Sequence, residues 1–410
     1  MSRHGICCWA LIATSMVGGA AAGEGWPQWG GPGRDFTVAA RELSREWDEN
    51  GPRRLWDRPL GNGFASIVGD KKRLYTMFRE GDDEIVIALD ARSGKTVWQH
   101  RYAAPVPKSE ALSTEYGKGP NATPLLIEGQ LVTLGFTGHL QCLDAKTGKP
   151  RWSADLGQAF EVEIPYFGHA TSPLAAGTNV VVVAGGLLAF DLASGKLAWM
   201  NREFEGSYGS PRLVDSGGQE QIVTPVSGRL AGFDAGTGKT LWSQELKNQW
   251  GTILTSPVVD EQGRIFISAA QAGSILIDPA AGADDRRVWK TETTQIAHSN
   301  AVRSGKWVFA SVGDSASFVT ATSLDDGSQA WKERGFAQAN LLRVGDDFLL
   351  LDHDGDLALV QLDGQGMKVI TRASINDKPT WTPPTLIGTT LYVRDESRIV
   401  ALDLSARKPR

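Results

Sequence analysis

Few stretches of this 410-residue chain hold residues whose type and spacing could do chemistry. The densest is Asp352-His353-Asp354-Gly355-Asp356, whose alternating carboxylates suit a hard cation such as calcium. It lacks the downstream bidentate glutamate of an EF-hand loop. Asp354-Gly355-Asp356-Leu357 also aligns with Thr137-Gly138-His139-Leu140, so the segment reads as a hairpin turn. The histidines, at 4, 100, 139, 169, 298 and 353, are scattered, and none pairs with another at ligand spacing. There is no nucleophile elbow, P-loop or HExxH motif. Cys142 lies alone in an apolar, strand-like run and reads as buried packing, while Cys7 and Cys8 sit close to the N-terminus. These residues predict no metal site and no catalytic set.

The first 22 residues read as a signal peptide. Arg3 and His4 form a short polar start, Ile6 to Val17 a mostly apolar stretch too short for a membrane span, and Ala20-Ala21-Ala22 a small-residue cleavage site. Cys7 and Cys8 precede the apolar stretch, where a lipid-bearing cysteine should follow it. No later run reaches membrane-spanning length. The expectation is a periplasmic or secreted protein, monomeric and without a membrane span. Removing the segment takes one base and no acid, so the net charge of −5 becomes −6, which gives no polyanion-binding surface and no nucleic-acid partner.

The elements that must position any site come from an internal repeat. An apolar residue, Asp, three residues, Gly, three residues and Trp recur as Asp90-Gly94-Trp98, Asp144-Gly148-Trp152, Asp191-Gly195-Trp199 and Asp234-Gly238-Trp242. Later copies drift. Asp278-Gly282-Trp289 has three extra residues, Ser323-Gly327-Trp331 has lost the Asp, and Leu362-Gly366-Ile370 keeps only the Gly. An eighth begins at Ala401-Leu402-Asp403 and has no Trp. Each unit, about 45 residues long, reads as four short strands joined by Gly-containing turns. Repeated radially, such units make an all-β, eight-bladed β-propeller of four-stranded blades. The Arg54-Leu55-Trp56 strand has no strands ahead of it, so it is predicted to complete the last blade and close the ring. The expected organisation is residues 1–22 signal peptide, 23–50 N-terminal lead and 51–410 propeller. Trp56, Trp98, Trp152, Trp199, Trp242, Trp289 and Trp331 are predicted to dock between blades, a structural role.

The loops leading into successive blades gather on one face near the axis. Their small Ser, Thr and Pro residues fit the crowding expected there. The larger members, Asn121, His169, Tyr208, Trp250, His298, Asn340 and Trp381, could ring the channel mouth as a polar-aromatic contact set for a ligand or partner. Two long loops, 101–120 and 156–168, hold Tyr102, Pro105, Pro107 and Tyr116, and Phe160, Glu161, Glu163, Tyr166 and Phe167. They read as lids or an interaction edge on the same face.

The unit Ala88-Leu-Asp-Ala-Arg-Ser-Gly-Lys-Thr-Val-Trp98 resembles the tryptophan-docking repeat of PQQ-type propellers, and Leu143-Asp-Ala-Lys-Thr-Gly-Lys-Pro-Arg-Trp152 resembles it more closely. The resemblance covers about residues 51–410, and Trp26-Pro-Gln-Trp-Gly-Gly-Pro-Gly-Arg-Asp35 resembles the lead of exported members. It implies either a quinoprotein dehydrogenase, holding pyrroloquinoline quinone (PQQ) over calcium on the axis, or a non-enzymatic propeller such as the BamB group. Many of the dehydrogenases carry an adjacent cysteine pair, which here falls only in the signal peptide. Their Glu/Asn/Asp calcium set and Asp base have no clear match. The reading adopted is a non-catalytic binding or scaffold protein, BamB-like in envelope protein assembly, with no cofactor. Its partner would be a protein or peptide of the cell envelope, or a small molecule or glycan at the channel mouth. The alternatives are a compact PQQ-dependent alcohol or sugar dehydrogenase with calcium, and a carbohydrate-binding propeller using Trp250 and Trp381.

Overall fold

The middle strands of each repeat are apolar at nearly every position, a pattern that fits strands covered on both faces. Arg73–Glu80 and Asp83–Asp90 are buried at every interior residue, whereas the outer strand Thr96–Ala103 alternates between exposed and half-buried. A computed structural model describes residues 25–113, 117–313 and 318–406. The signal-peptide expectation and Tyr116 lie outside the described residues.

The described strands form eight antiparallel four-stranded sheets arranged as an eight-bladed propeller. Blades 1 to 7 span residues 68–103, 125–155, 174–201, 212–245, 258–291, 301–334 and 340–374. Blade 8 takes its three inner strands from 385–403, and its outer strand is Arg53–Pro59. That strand pairs antiparallel with Arg398–Asp403, with Trp56 opposite Ala401. The ring closes as expected, because an unpaired edge in the last blade would leave backbone donors and acceptors without partners. The cores lie between blades. In one, Val132, Leu134 and Cys142 of blade 2 face Val180, Val182 and Phe190 of blade 3.

Asp90, Asp144, Asp191 and Asp234 each accept the amide three residues on, at 2.8 to 3.0 Å, and each turn is tied by Gly N–H to Asp carbonyl at 2.8 Å. The bonds from Arg151 and Thr147 pull the Asp144 carboxyl down to about 2. The Gly of the turn is where the previous blade's tryptophan lands. A Cβ on Gly94 would sit 2.6 Å from the Trp56 ring, and one on Gly148 2.5 Å from Trp98. The indole then donates to the carbonyl three residues before that Gly: Trp56 to Ala91 at 3.0 Å, Trp98 to Ala145 at 3.1 Å, Trp152 to Leu192 at 2.9 Å. Trp289 reaches Leu324 and Trp331 reaches Asp363 in the same way. Trp199 packs on Gly238, but its indole N–H has no partner.

Trp242 departs from the expected docking. It is 5% exposed, lies over Gly232 of its own blade and donates to Gln221 at 2.8 Å. The next turn is the one lengthened by three residues, and Gly282 there has no atom within 4 Å of an added Cβ. With no Gly floor to land on, the indole folds inward, and Arg286 covers it at 5.5 Å. All eight outer strands also carry a register shift near this turn, at Leu55 and Val97 for example. Such bulges disrupt an outer edge as a template for strand addition.

Candidate functional site: an axial cavity and a loop face

The lead is not a tail beside the ring. Trp26 bridges Gly69 of blade 1, and the Pro27 carbonyl accepts from Leu126 of blade 2. Positive φ at Gly30 and Gly31 turns the chain back, with Gly31 lying against the Trp26 ring. Arg34 then enters the axis. It is 7% exposed and donates to the carbonyls of Pro211 at 2.6 Å, Pro173 at 3.0 Å and Ser172 at 2.8 Å, and to Gln28 Oε1 at 3.2 Å. Arg34 and Phe36 hold φ of 54° and 55°, which non-glycine residues rarely adopt. The Gly30 carbonyl, accepting from Asp35 and Phe36, holds them there. Thr37–Val38 finally adds a parallel strand to blade 7, opposite Arg343 and Val344.

Between this lead and blades 4 to 8 lies a cavity of about 310 Å³. Its wall includes Trp29, Trp381 and His298, and also Arg34, Arg212, Arg303 and Arg343; its carboxylates are Asp35 and Asp260. Burial and the neighbouring Arg212 push the Arg34 guanidinium down to about 9.

Of the seven residues expected at the channel mouth, the structure brings three together at this cavity. His298, Asn340 and Trp381 reach the cavity. The Trp381 ring lies 5.6 Å from that of His298 and 4.5 Å from that of His353, and Asn340 is buried and donates to the Trp381 carbonyl at 3.1 Å. Asn121 and Tyr208 instead pin the second long loop: Asn121 donates to the Phe167 carbonyl at 3.3 Å, and the Phe167 amide donates to the Tyr208 hydroxyl at 3.1 Å. His169 is 2% exposed, its Nε2 has no partner, and burial pushes its imidazole down to about 4. It faces the Gly138 turn, where an added Cβ would sit 3.2 Å from Nε2. Trp250 stands apart, 58% exposed.

The small hydroxyl residues of these loops link blade to blade. Ser66 N–H donates to Thr123 Oγ1, Thr123 to Ser172 Oγ, Ser172 to Ser210 Oγ and Ser210 to Ser256 Oγ, at 3.0 to 3.3 Å. Asn300 continues the series by pairing with both backbone groups of Leu341 at 2.8 Å. The two long loops also meet, through Ser113 N–H to the Tyr166 carbonyl at 2.7 Å. The second opens with a short helix, Leu156–Phe160, which the repeat did not predict. Tyr102 lies in an outer strand rather than a loop, and its hydroxyl donates to the buried Glu84 at 2.6 Å.

The Asp352–Asp356 segment is the hairpin turn of blade 7. Asp352 accepts the Asp356 amide at 2.8 Å, and Arg372 holds Asp356. Among the described residues, no group of three or more His, Cys, Asp or Glu could hold a metal ion. The cavity arginines were missed by sequence reasoning, although a signal existed. Asn300-Ala-Val-Arg303 and Asn340-Leu-Leu-Arg343 repeat Asn-x-x-Arg at equivalent places in consecutive blades.

Fold and axial site together define a PQQ-type propeller with its axis partly filled by its own lead. The family described as outer membrane protein assembly factor BamB matches residues 82–333, more than half of the chain, and the chain belongs to that family. It is 24% identical over 276 residues to outer membrane protein assembly factor BamB of Moranella endobia (strain PCIT), covering 58% of this chain and 63% of that protein. It is 27% identical over 179 residues to quinohemoprotein alcohol dehydrogenase ADH-IIG of Pseudomonas putida, covering 40% of this chain and 23% of that one. The chain thus spans less than two thirds of either relative. The crystal structure of BamB from Moraxella catarrhalis shares the fold, with a TM-score of 0.63 and 19% identity over 87% of this chain and 99% of that one.

The dehydrogenase branch implies a quinone over calcium. Of the two cavity carboxylates, Asp260 binds Arg264 at 2.6 Å and caps its own turn, and Asp35 caps Thr37 at 3.0 Å. Four arginines face the same space. This donor set does not fit a calcium-bound cofactor, because the local charge repels a divalent cation.

Proposed function

We propose that this chain is an exported, non-catalytic scaffold of the cell envelope that binds a polypeptide on its loop face. The observation that carries the reading is a set of exposed apolar side chains on loops that are themselves held in place. Tyr166 and Trp250 are more than half exposed and Leu254 is 38% exposed, yet their loops are held by Asn121, Tyr208 and Asn248. Large exposed aromatics on prearranged loops are the usual anchors of protein interfaces. The bulged outer strands favour this face over strand-edge addition. Membership of the BamB family supports the same class of role.

The test is photo-crosslinking from positions 166 and 250 of the full chain in its host envelope. A discrete protein adduct from position 166 that is lost on Trp250→Ser, or from position 250 that is lost on Tyr166→Ser, with the melting temperature unchanged, supports the scaffold. The dehydrogenase reading draws on the quinohemoprotein relative. Saturable stabilisation by PQQ and calcium, with dye reduction by alcohols or sugars, would replace the scaffold with that reading. For the glycan reading, Trp381 is flanked by His298 and His353, leaving Trp250 as the open aromatic of the two.

A further inference from the structure

The cavity beside the lead has an unbalanced charge. Arg34 is an anchor, with most of its donors engaged by backbone carbonyls. The other three arginines are oriented by backbone carbonyls, and among the described residues only Arg303 has a close ion pair. Arg212 donates to the Arg34 carbonyl at 3.2 Å, and its nearest carboxylate, Asp35, stands at 3.9 Å. Arg303 is fixed by the Gly305 carbonyl at 3.0 Å and by the solvent-facing Glu261 at 3.1 Å. Arg343 donates to the carbonyls of Gly345 at 2.8 Å and Arg303 at 3.3 Å, and among the described residues no ion pair engages it. A guanidinium carries five N–H donors, so each of the three keeps donors to offer.

Gathering like charges in a partly buried space is unfavourable unless an anion joins them. Burial lowers the Arg212 guanidinium; the Asp35 carboxylate opposes that shift and the nearby Arg303 adds to it. The wall also holds the aromatic Trp29 and Trp381. A volume of about 310 Å³ suits a small organic molecule. We infer that the axial cavity binds a small organic oxyanion, carrying carboxylate or phosphate, through Arg212, Arg303 and Arg343. Those three arginines come from blades 4, 6 and 7, so the ligand joins three blades. This inference goes beyond the loop-face role, and a cavity variant leaves crosslinking at positions 166 and 250 unchanged, so the two readings fail separately.

The experiment is calorimetric titration and thermal unfolding of the full chain with citrate, with inorganic phosphate and with glycerol as the neutral control. One-site binding of citrate alone assigns a carboxylate, and of phosphate alone a phosphate; binding of both leaves the oxyanion class standing. Glycerol is expected to do nothing. Arg343→Gln should weaken binding about tenfold or more. Asp35→Asn keeps the cap on Thr37 while removing the competing charge, and should tighten binding several-fold, a gain that misfolding cannot mimic. The inference is overturned if neither anion binds at about 10 mM, or if both variants bind like the parent.

Discussion

At the scale of single residues, docking depends on what lies under each indole. Gly238 has φ +72°, and an added Cβ would sit 2.2 Å from Trp199, whereas Gly282 has open space. Gly238→Ala should cost about 2 kcal/mol or more. Gly282→Ala should stay within about 0.5 kcal/mol of the parent. Denaturant unfolding of the two variants checks the contrast. His169 predicts a pH dependence. Its folded pKa of about 4 lies below the ordinary value of 6.5, so between these values the unfolded chain binds more protons. Stability is full above about pH 6.5 and falls on acidification towards pH 4, by ~3 kcal/mol. His169→Gln should flatten that slope in a stability-versus-pH series; an unchanged slope would place the acid sensitivity elsewhere.

At the scale of elements, the outer strand of blade 8 and the lead show what a repeat can and cannot disclose. The incomplete eighth unit and the lone Trp56 strand named each other as partners, and they pair as antiparallel neighbours. Deleting residues 53–59 should sharply lower the melting temperature and promote aggregation, because the Arg398–Asp403 edge is then open. Differential scanning calorimetry with light scattering reads both effects. The destination of the lead had no such signal. Its contacts reach blades 1, 2, 3, 4, 5, 7 and 8 through residues that follow no repeat, so no period marks them. The same holds for Trp242, whose inward turn depends on a lengthened loop in the next blade and on Gly232 beneath the ring.

At the scale of the whole molecule, ring and lead act as one body. Arg34→Ala removes the donors that satisfy the Ser172, Pro173 and Pro211 carbonyls. The lead should then become sensitive to limited proteolysis while the propeller stays folded, as mass spectrometry of the fragments would record. Cleavage no faster than in the parent would mean that Trp26 and the Thr37–Val38 strand suffice to hold it. The same variant should weaken the oxyanion site, since Arg34 sets the position of the Arg212 contact.

Eight blades, their strand order and the ring closure were determined by the sequence alone. Each depends on local turn chemistry and short apolar strand runs, repeated often enough to outweigh drift at any one copy. The hydroxyl and amide links between inner loops were foreshadowed as small residues near a crowded axis. The tertiary structure decided where the one-off segments go. It alone separates the buried His169 and Asn340 from the exposed Trp250, and it alone brings Arg34 of the lead together with Arg212, Arg303 and Arg343 from three blades. Those residues are far apart in the chain, and charge and burial acquire meaning only when closure of the ring places them around one cavity.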